Sequence, residues 1–146
     1  MRRAASLSLV LIIALTGCGG GGNKPKPLTK AQYEQKLGPL LNQQVAPAVR
    51  AALANGGILD PSKVTTAIAS VKTAHDQMAS VTPPTAVADL HKRAVAVLAA
   101  LVTDMTKLRD AETKKDTSAE RGALTNITTD ARGLVNVGSQ FTSRGF

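Results

Sequence analysis

The sequence predicts an all-α protein, an up-down-up-down four-helix bundle carried on a flexible N-terminal tether. Three observations predict it. Apolar residues recur at alternating spacings of three and four through four separate stretches, each with its own start and stop signals. No stretch alternates polar and apolar residues over a convincing length, so no sheet is expected. Aromatic residues make up only 2% of the chain, and the apolar weight is Ala, Leu and Val. Small side chains of that kind suit slim helices packed closely together, and short connections make them antiparallel neighbours.

The chain opens on a different pattern. Arg2 and Arg3 precede an apolar run from Leu7 to Leu15 that only Ser8 interrupts. At nine residues the run is too short to cross a hydrocarbon core of ~30 Å as a helix. It has the proportions of a secretory signal peptide, so residues 1–17 are expected to be removed on export. Leu15-Thr16-Gly17-Cys18 follows, and Cys18 is the one cysteine of the sequence. This quartet resembles the lipobox of bacterial lipoproteins: a branched apolar residue, a small residue, Gly or Ala, then Cys. The resemblance implies cleavage between Gly17 and Cys18 and a diacylglyceryl thioether on Cys18, with further acylation such as palmitate on the new N-terminus. Two or three acyl chains hold a soluble domain on a membrane where one binds reversibly. The implied location is extracytoplasmic, on the cell membrane or on an outer membrane where the cell has one.

Residues 18–28 then form the acylated cysteine and tether. Gly19 to Gly22 are flexible, and Lys24-Pro25-Lys26-Pro27 stiffens the second half towards polyproline II. Such a segment reaches roughly 15–20 Å. The bundle is expected over 29–146. Thr29 and Gln32 make a capping box for the first helix, with Leu28 and Tyr33 as a hydrophobic staple. Its stripe runs through Leu37, Leu40, Leu41, Val45, Ala48, Val49, Ala52 and Leu53. Pro39 and Pro47 interrupt it, so a kink or a break at Gly38-Pro39 is expected. Asn55-Gly56-Gly57 ends it.

Asp60 and Pro61 start the second helix, with Leu59 and Val64 as staple. Val64, Ile68, Val71, His75 and Met78 form its seam, and Thr82-Pro83-Pro84 stops it. The third helix runs from about Pro84 to Thr113. Val87, His91, Ala94, Leu98, Leu101, Met105 and Leu108 hold the same rhythm, widened by Leu90, Val97 and Val102. After the polar turn Lys114-Lys115-Asp116, Thr117 and Glu120 form a capping box for the fourth helix. Its seam is Leu124, Ile127, Ala131, Leu134, Gly138 and Phe141. The whole is similar to the small helical lipoproteins of high-GC bacteria, with no named domain family behind it.

Charge and chemistry narrow the function. The net charge is +8; without Arg2 and Arg3, sixteen basic residues face ten acidic ones. A nucleic-acid binder would interleave aromatics with that charge or gather it into a stripe, and this chain does neither. A solvated, mildly basic surface is the expected reading of that charge, with anionic lipid headgroups or an envelope polymer as its alternative partner. With Cys18 acylated no thiol remains for a disulfide or a cysteine metal site. No nucleophile elbow, phosphate loop or His-Glu metal motif is present, and Asp104, Asp110, Glu112 and Asp116 alternate with Lys and Arg as on a solvated helix end. No enzyme is expected.

The candidate ligand residues are His75, His91 and Met78. Both histidines fall on seams, eight residues either side of Pro83, so an antiparallel hairpin puts them in one layer. Facing rings would hydrogen-bond each other; Asp76, next to His75, is expected on another face. The primary reading is a membrane-anchored extracytoplasmic lipoprotein acting as a binding or scaffolding module of the cell envelope, with no cofactor beyond the covalent lipid. The alternative is a bundle that binds metal, haem or a small ligand through His75 and His91. A purely structural envelope component is the third reading.

Overall fold

Thr29 opens the first helix as the sequence predicts. In a computed structural model that describes residues 25–53 and 61–146, the Thr29 side chain accepts from the Gln32 amide at 3.4 Å. The Thr29 amide in turn donates to Gln32 Oε1 at 3.0 Å. Two of the helix's orphan donors are satisfied reciprocally. Every regular element among the described residues is helical, and none is a strand. In order they form α1 (Lys30–Pro39), a π-helical segment (Leu40–Val45), α2 (Ala46–Leu53), α3 (Pro61–Ala79), a 3-10 turn (Thr85–Val87), α4 (Ala88–Lys114) and α5 (Thr117–Ser143). Cys18, Gly17, the glycines of the tether, Asn55-Gly56-Gly57, Leu59 and Asp60 lie outside the described residues.

The chain does not break at Gly38-Pro39. The helical run continues from α1 into the π segment and on into α2, and the Ala46 amide closes onto the Leu41 carbonyl five residues back. The reason lies in Pro47. Its ring has no N–H for the Gln43 carbonyl and would collide with it in a regular α-helix. A wide π turn immediately before it makes room.

The core follows the apolar seams, most faithfully in α4. His91, Ala94, Leu98, Leu101, Met105 and Leu108 are all buried there, together with Leu90 and Ala111. In α3 the expected seam is shifted. Val64, Ala67, Val71, Ala74 and Met78 are buried, while Ile68 and His75 sit at the edge of the face. Ala67 and Ala74 keep the same spacing one position earlier. Small side chains occupy the line of closest approach because they let the backbones come together, and the larger ones flank it. α5 behaves similarly. Ala123, Ile127, Val137 and Phe141 are buried, and Leu124, Ala131, Leu134 and Gly138 are half-buried.

The connections are short and made by recognisable turns. Lys115 takes the left-handed conformation (φ 56°) after α4, and the Asp116 amide reaches back to the Ala111 carbonyl at 2.9 Å. Asp116, not Thr117, caps α5: its carboxylate accepts from the amides of Ser118 and Ala119 at 3.1 and 3.0 Å. A carboxylate there also meets the positive end of the helix, which favours it over a hydroxyl. Between α3 and α4 the two prolines hold the chain extended before the 3-10 turn, and α-helical geometry begins at Ala88 rather than near Pro84. The Leu28 amide donates to the Thr82 carbonyl at 3.0 Å, tying the end of the tether to this loop.

Packing is uneven. α4 and α5 share the most extensive interface, and α3 lies along α4. The run from α1 to α2 rests mainly on α3 and meets α5 only sparsely.

Candidate functional site

Three polar or open features interrupt the packed core. The first is an aromatic group built on His91. Tyr33, Phe141 and Phe146 are all the aromatic residues of the chain, and they gather at one place. The Tyr33 ring centroid lies 5.8 Å from that of His91, 5.9 Å from Phe141 and 6.1 Å from Phe146. Phe146 reaches it because Gly145 turns the backbone at φ 80° and the Phe146 amide bonds the Phe141 carbonyl at 2.9 Å. Lys30 Nζ stands 5.5 Å from the Phe146 ring centroid, a cation–π distance.

Within this group Tyr33 Oη and His91 Nδ1 are 2.9 Å apart and buried. Burial raises the Tyr33 pKa and lowers that of His91, because both charged forms lose solvation. The phenol stays protonated and the imidazole is held towards its neutral form. We assign the phenol as donor to Nδ1, which places the ring hydrogen on Nε2. The pair satisfies two polar groups that would otherwise be stranded among apolar side chains.

His75 stands in different surroundings. Its Nδ1 meets Asp76 Oδ1 at 2.9 Å, and Lys72 Nζ holds the other oxygen of that carboxylate at 2.6 Å. The Asp76 pKa is lowered by the hydrogen bond from Lys72 first and by that from His75 second. The expectation that Asp76 points away from His75 is thus corrected: at the edge of a helix two adjacent side chains bend towards each other through solvent. The two histidines are not hydrogen-bonded to each other, and each Nδ1 has its own partner. Met78 is fully buried in the core. Among the described residues no group of three or more His, Cys, Asp or Glu side chains is arranged to hold a metal ion.

The second feature was not foreseen. Asp104 is buried rather than solvated, 8% exposed on the face of α4 that meets α5. Lys107 Nζ reaches over it at 2.7 Å. Asp130 of α5 pairs with it, and its pKa is raised by burial, then by the Asp104 charge and the hydrogen bond between them, against the pull of Lys107. The signal was present in the sequence. Asp104 follows Leu101 by three residues, which is a seam position, but Met105 beside it continues the apolar rhythm and hides the charge.

The third feature is an open apolar groove of about 470 Å³ where the α1–α2 run and α5 stand apart. Leu41, Val45, Val49 and Leu53 form one wall, and Leu134 and Val135 the other. Leu41 and Val45 belong to the π turn, so the widened coil that accommodates Pro47 also shapes this wall. Val135 is 70% exposed, the one large apolar side chain so exposed among the described residues.

Comparison with known proteins gives these features no precedent: no family model matches the chain, and neither a curated protein nor a solved structure is detectably similar to it.

Proposed function

We propose that the chain is a lipid-anchored, extracytoplasmic protein of a bacterial envelope that acts as a binding or scaffolding module and not as an enzyme. The observation that carries this reading is Leu15-Thr16-Gly17-Cys18 directly behind a short apolar run and a basic start. In this reading Cys18 carries the lipid, residues 19–28 are the tether, and 29–146 is an up-down-up-down four-helix bundle held near the headgroups.

Several features support it. The first described helix begins only after the Lys-Pro segment, at a complete capping box. The tether's end is fixed by the Leu28–Thr82 hydrogen bond, so the domain leaves the tether at a defined point. Consecutive helices with tight turns at 80–84 and 115–116 suit antiparallel neighbours. No helix among the described residues is long and apolar enough to cross a membrane. The partners proposed are membrane lipid through Cys18 and an envelope protein or anionic polymer along the basic surface.

The test is metabolic labelling with a clickable fatty acid followed by fractionation. The wild-type chain is expected to be labelled and membrane-bound, and Cys18→Ser to be unlabelled and either unprocessed or released. An unlabelled wild type that still sediments with membranes refutes the anchor.

A further inference from the structure

The groove between the α1–α2 run and α5 is apolar along its floor and charged at one end. Arg50 lines it directly. Arg132 lines an adjoining hollow that shares Ala131 and Val135 with it. Both arginines are exposed, and neither has an ion-pair or hydrogen-bond partner among the described residues. Among the described residues no acidic side chain lines either hollow. In the other direction the groove continues past Leu41 and Asn42 into a hollow beneath Tyr33, Phe141 and Phe146. The acidic residue there, Glu34, stands beside Lys30 at 3.8 Å. Charge therefore runs from the unpaired Arg50, with Arg132 on the adjoining face of α5, to an aromatic, locally neutralised end. At 1.5 Å per residue the wall from Leu37 to Leu53 is on the order of 20 Å long.

We propose that this groove binds a long-chain fatty acid, with its hydrocarbon along the helices and its carboxylate at Arg50. The length and the apolar walls match an extended single chain, and the hollow beside Arg50 lies within the ~300–1,000 Å³ of small-ligand sites. A guanidinium takes a carboxylate through two parallel hydrogen bonds, and an unpaired one beside an apolar wall leaves both of them on offer. The π turn contributes by holding Leu41 and Val45 apart from α5. A regular helix without Pro47 would let that wall close. The proposal does not rest on the reading of Cys18 as an anchor.

The test uses the full chain in nanodiscs of zwitterionic phospholipid, irradiated with a diazirine analogue of palmitic acid and mapped by proteolysis and mass spectrometry. Adducts are expected within 41–53 and 131–135. Palmitate should compete at least ~5-fold more strongly than hexadecanol, which lacks the charge. Arg50→Gln, a surface change checked by circular dichroism, should reduce labelling at least ~5-fold. A131F, which fills the groove, should abolish it. Labelling spread over the exposed surface, equal competition by the alcohol, or indifference to R50Q overturns the proposal. So does a chain that sediments as a dimer and loses labelling as it associates, which would give the groove to a second copy.

Discussion

Removing one oxygen atom tests the aromatic end of the molecule. Tyr33→Phe keeps the ring against Phe141, Phe146 and His91 but deletes the hydroxyl that meets His91 Nδ1 at 2.9 Å. Tyr33 is 1% exposed and His91 7%, so water cannot readily replace the lost partner. The expected cost is that of a stranded buried nitrogen, about 1–3 kcal/mol. For a domain of this size that lowers the melting temperature by roughly 4–12 °C. Replacing both partners, in Tyr33→Phe with His91→Leu, should cost less than the single changes sum to, with a coupling of about 1 kcal/mol. The pH dependence has a definite sign. Burial depresses the His91 pKa, so below the ordinary value of ~6.5 the unfolded chain holds a proton that the folded chain does not. The stability this contributes is complete above about pH 6.5 and is lost as pH falls from there towards the folded value. Urea denaturation followed by circular dichroism at about pH 5 and about pH 7.5 measures all three quantities. A Tyr33→Phe loss below ~0.5 kcal/mol, or a coupling indistinguishable from zero, would mean that the pair does not hold the helices together.

Other substitutions probe the remaining features. Leu101→Ala, at a fully buried seam position, should cost roughly 2–5 kcal/mol in the same assay; a loss under ~0.5 kcal/mol would misplace the α4 face. Lys115→Gly relieves a left-handed backbone (φ 56°) and should stabilise by about 0.5–1 kcal/mol, with any destabilisation counting against the turn. Asp130 has a raised pKa, so between 3.8 and its folded value the folded chain holds the extra proton and stability falls as pH rises through that window. Asp130→Asn should flatten that slope, and an unchanged slope would dissociate Asp130 from Asp104.

What the sequence made legible was local. The Thr29–Gln32 capping box formed as written because its donors and acceptors lie within one turn. The α4 seam was equally readable, since Leu98, Leu101, Met105 and Leu108 are large and leave no competing face. The α3 seam misled because Ile68 and His75 outweigh Ala67 and Ala74 in any reading by size, whereas close helix packing selects the small pair. Asp116 displaced Thr117 as cap by a single residue, through a charge preference that the box motif does not encode. The seam puts His91 in the core, as the structure does, but its partner is Tyr33, fifty-eight residues away, and not His75 across the hairpin. Asp104 escaped because its pairing depends on α5 facing that side of α4, which spacing alone does not give. The groove was beyond sequence reasoning, for it is the space left where two helices fail to meet.

The uneven packing also sets an order of events. α4 and α5 join through a two-residue turn and bury the largest shared surface, so their contacts close a short loop and form at little entropic cost. The run from Lys30 to Leu53 must bring Tyr33 across to His91 and Phe141, far along the chain, and its proline-widened coil offers less to hold it there. Amides of α1 and α2 are therefore expected to exchange with deuterium sooner than those of α4, by local opening that leaves the C-terminal hairpin intact. Uniform protection across all the helices would show a single cooperative unit instead. If α1–α2 opens first in that experiment, the wall that opens is also the wall of the groove, and a guest would enter or leave by the motion that costs the molecule least.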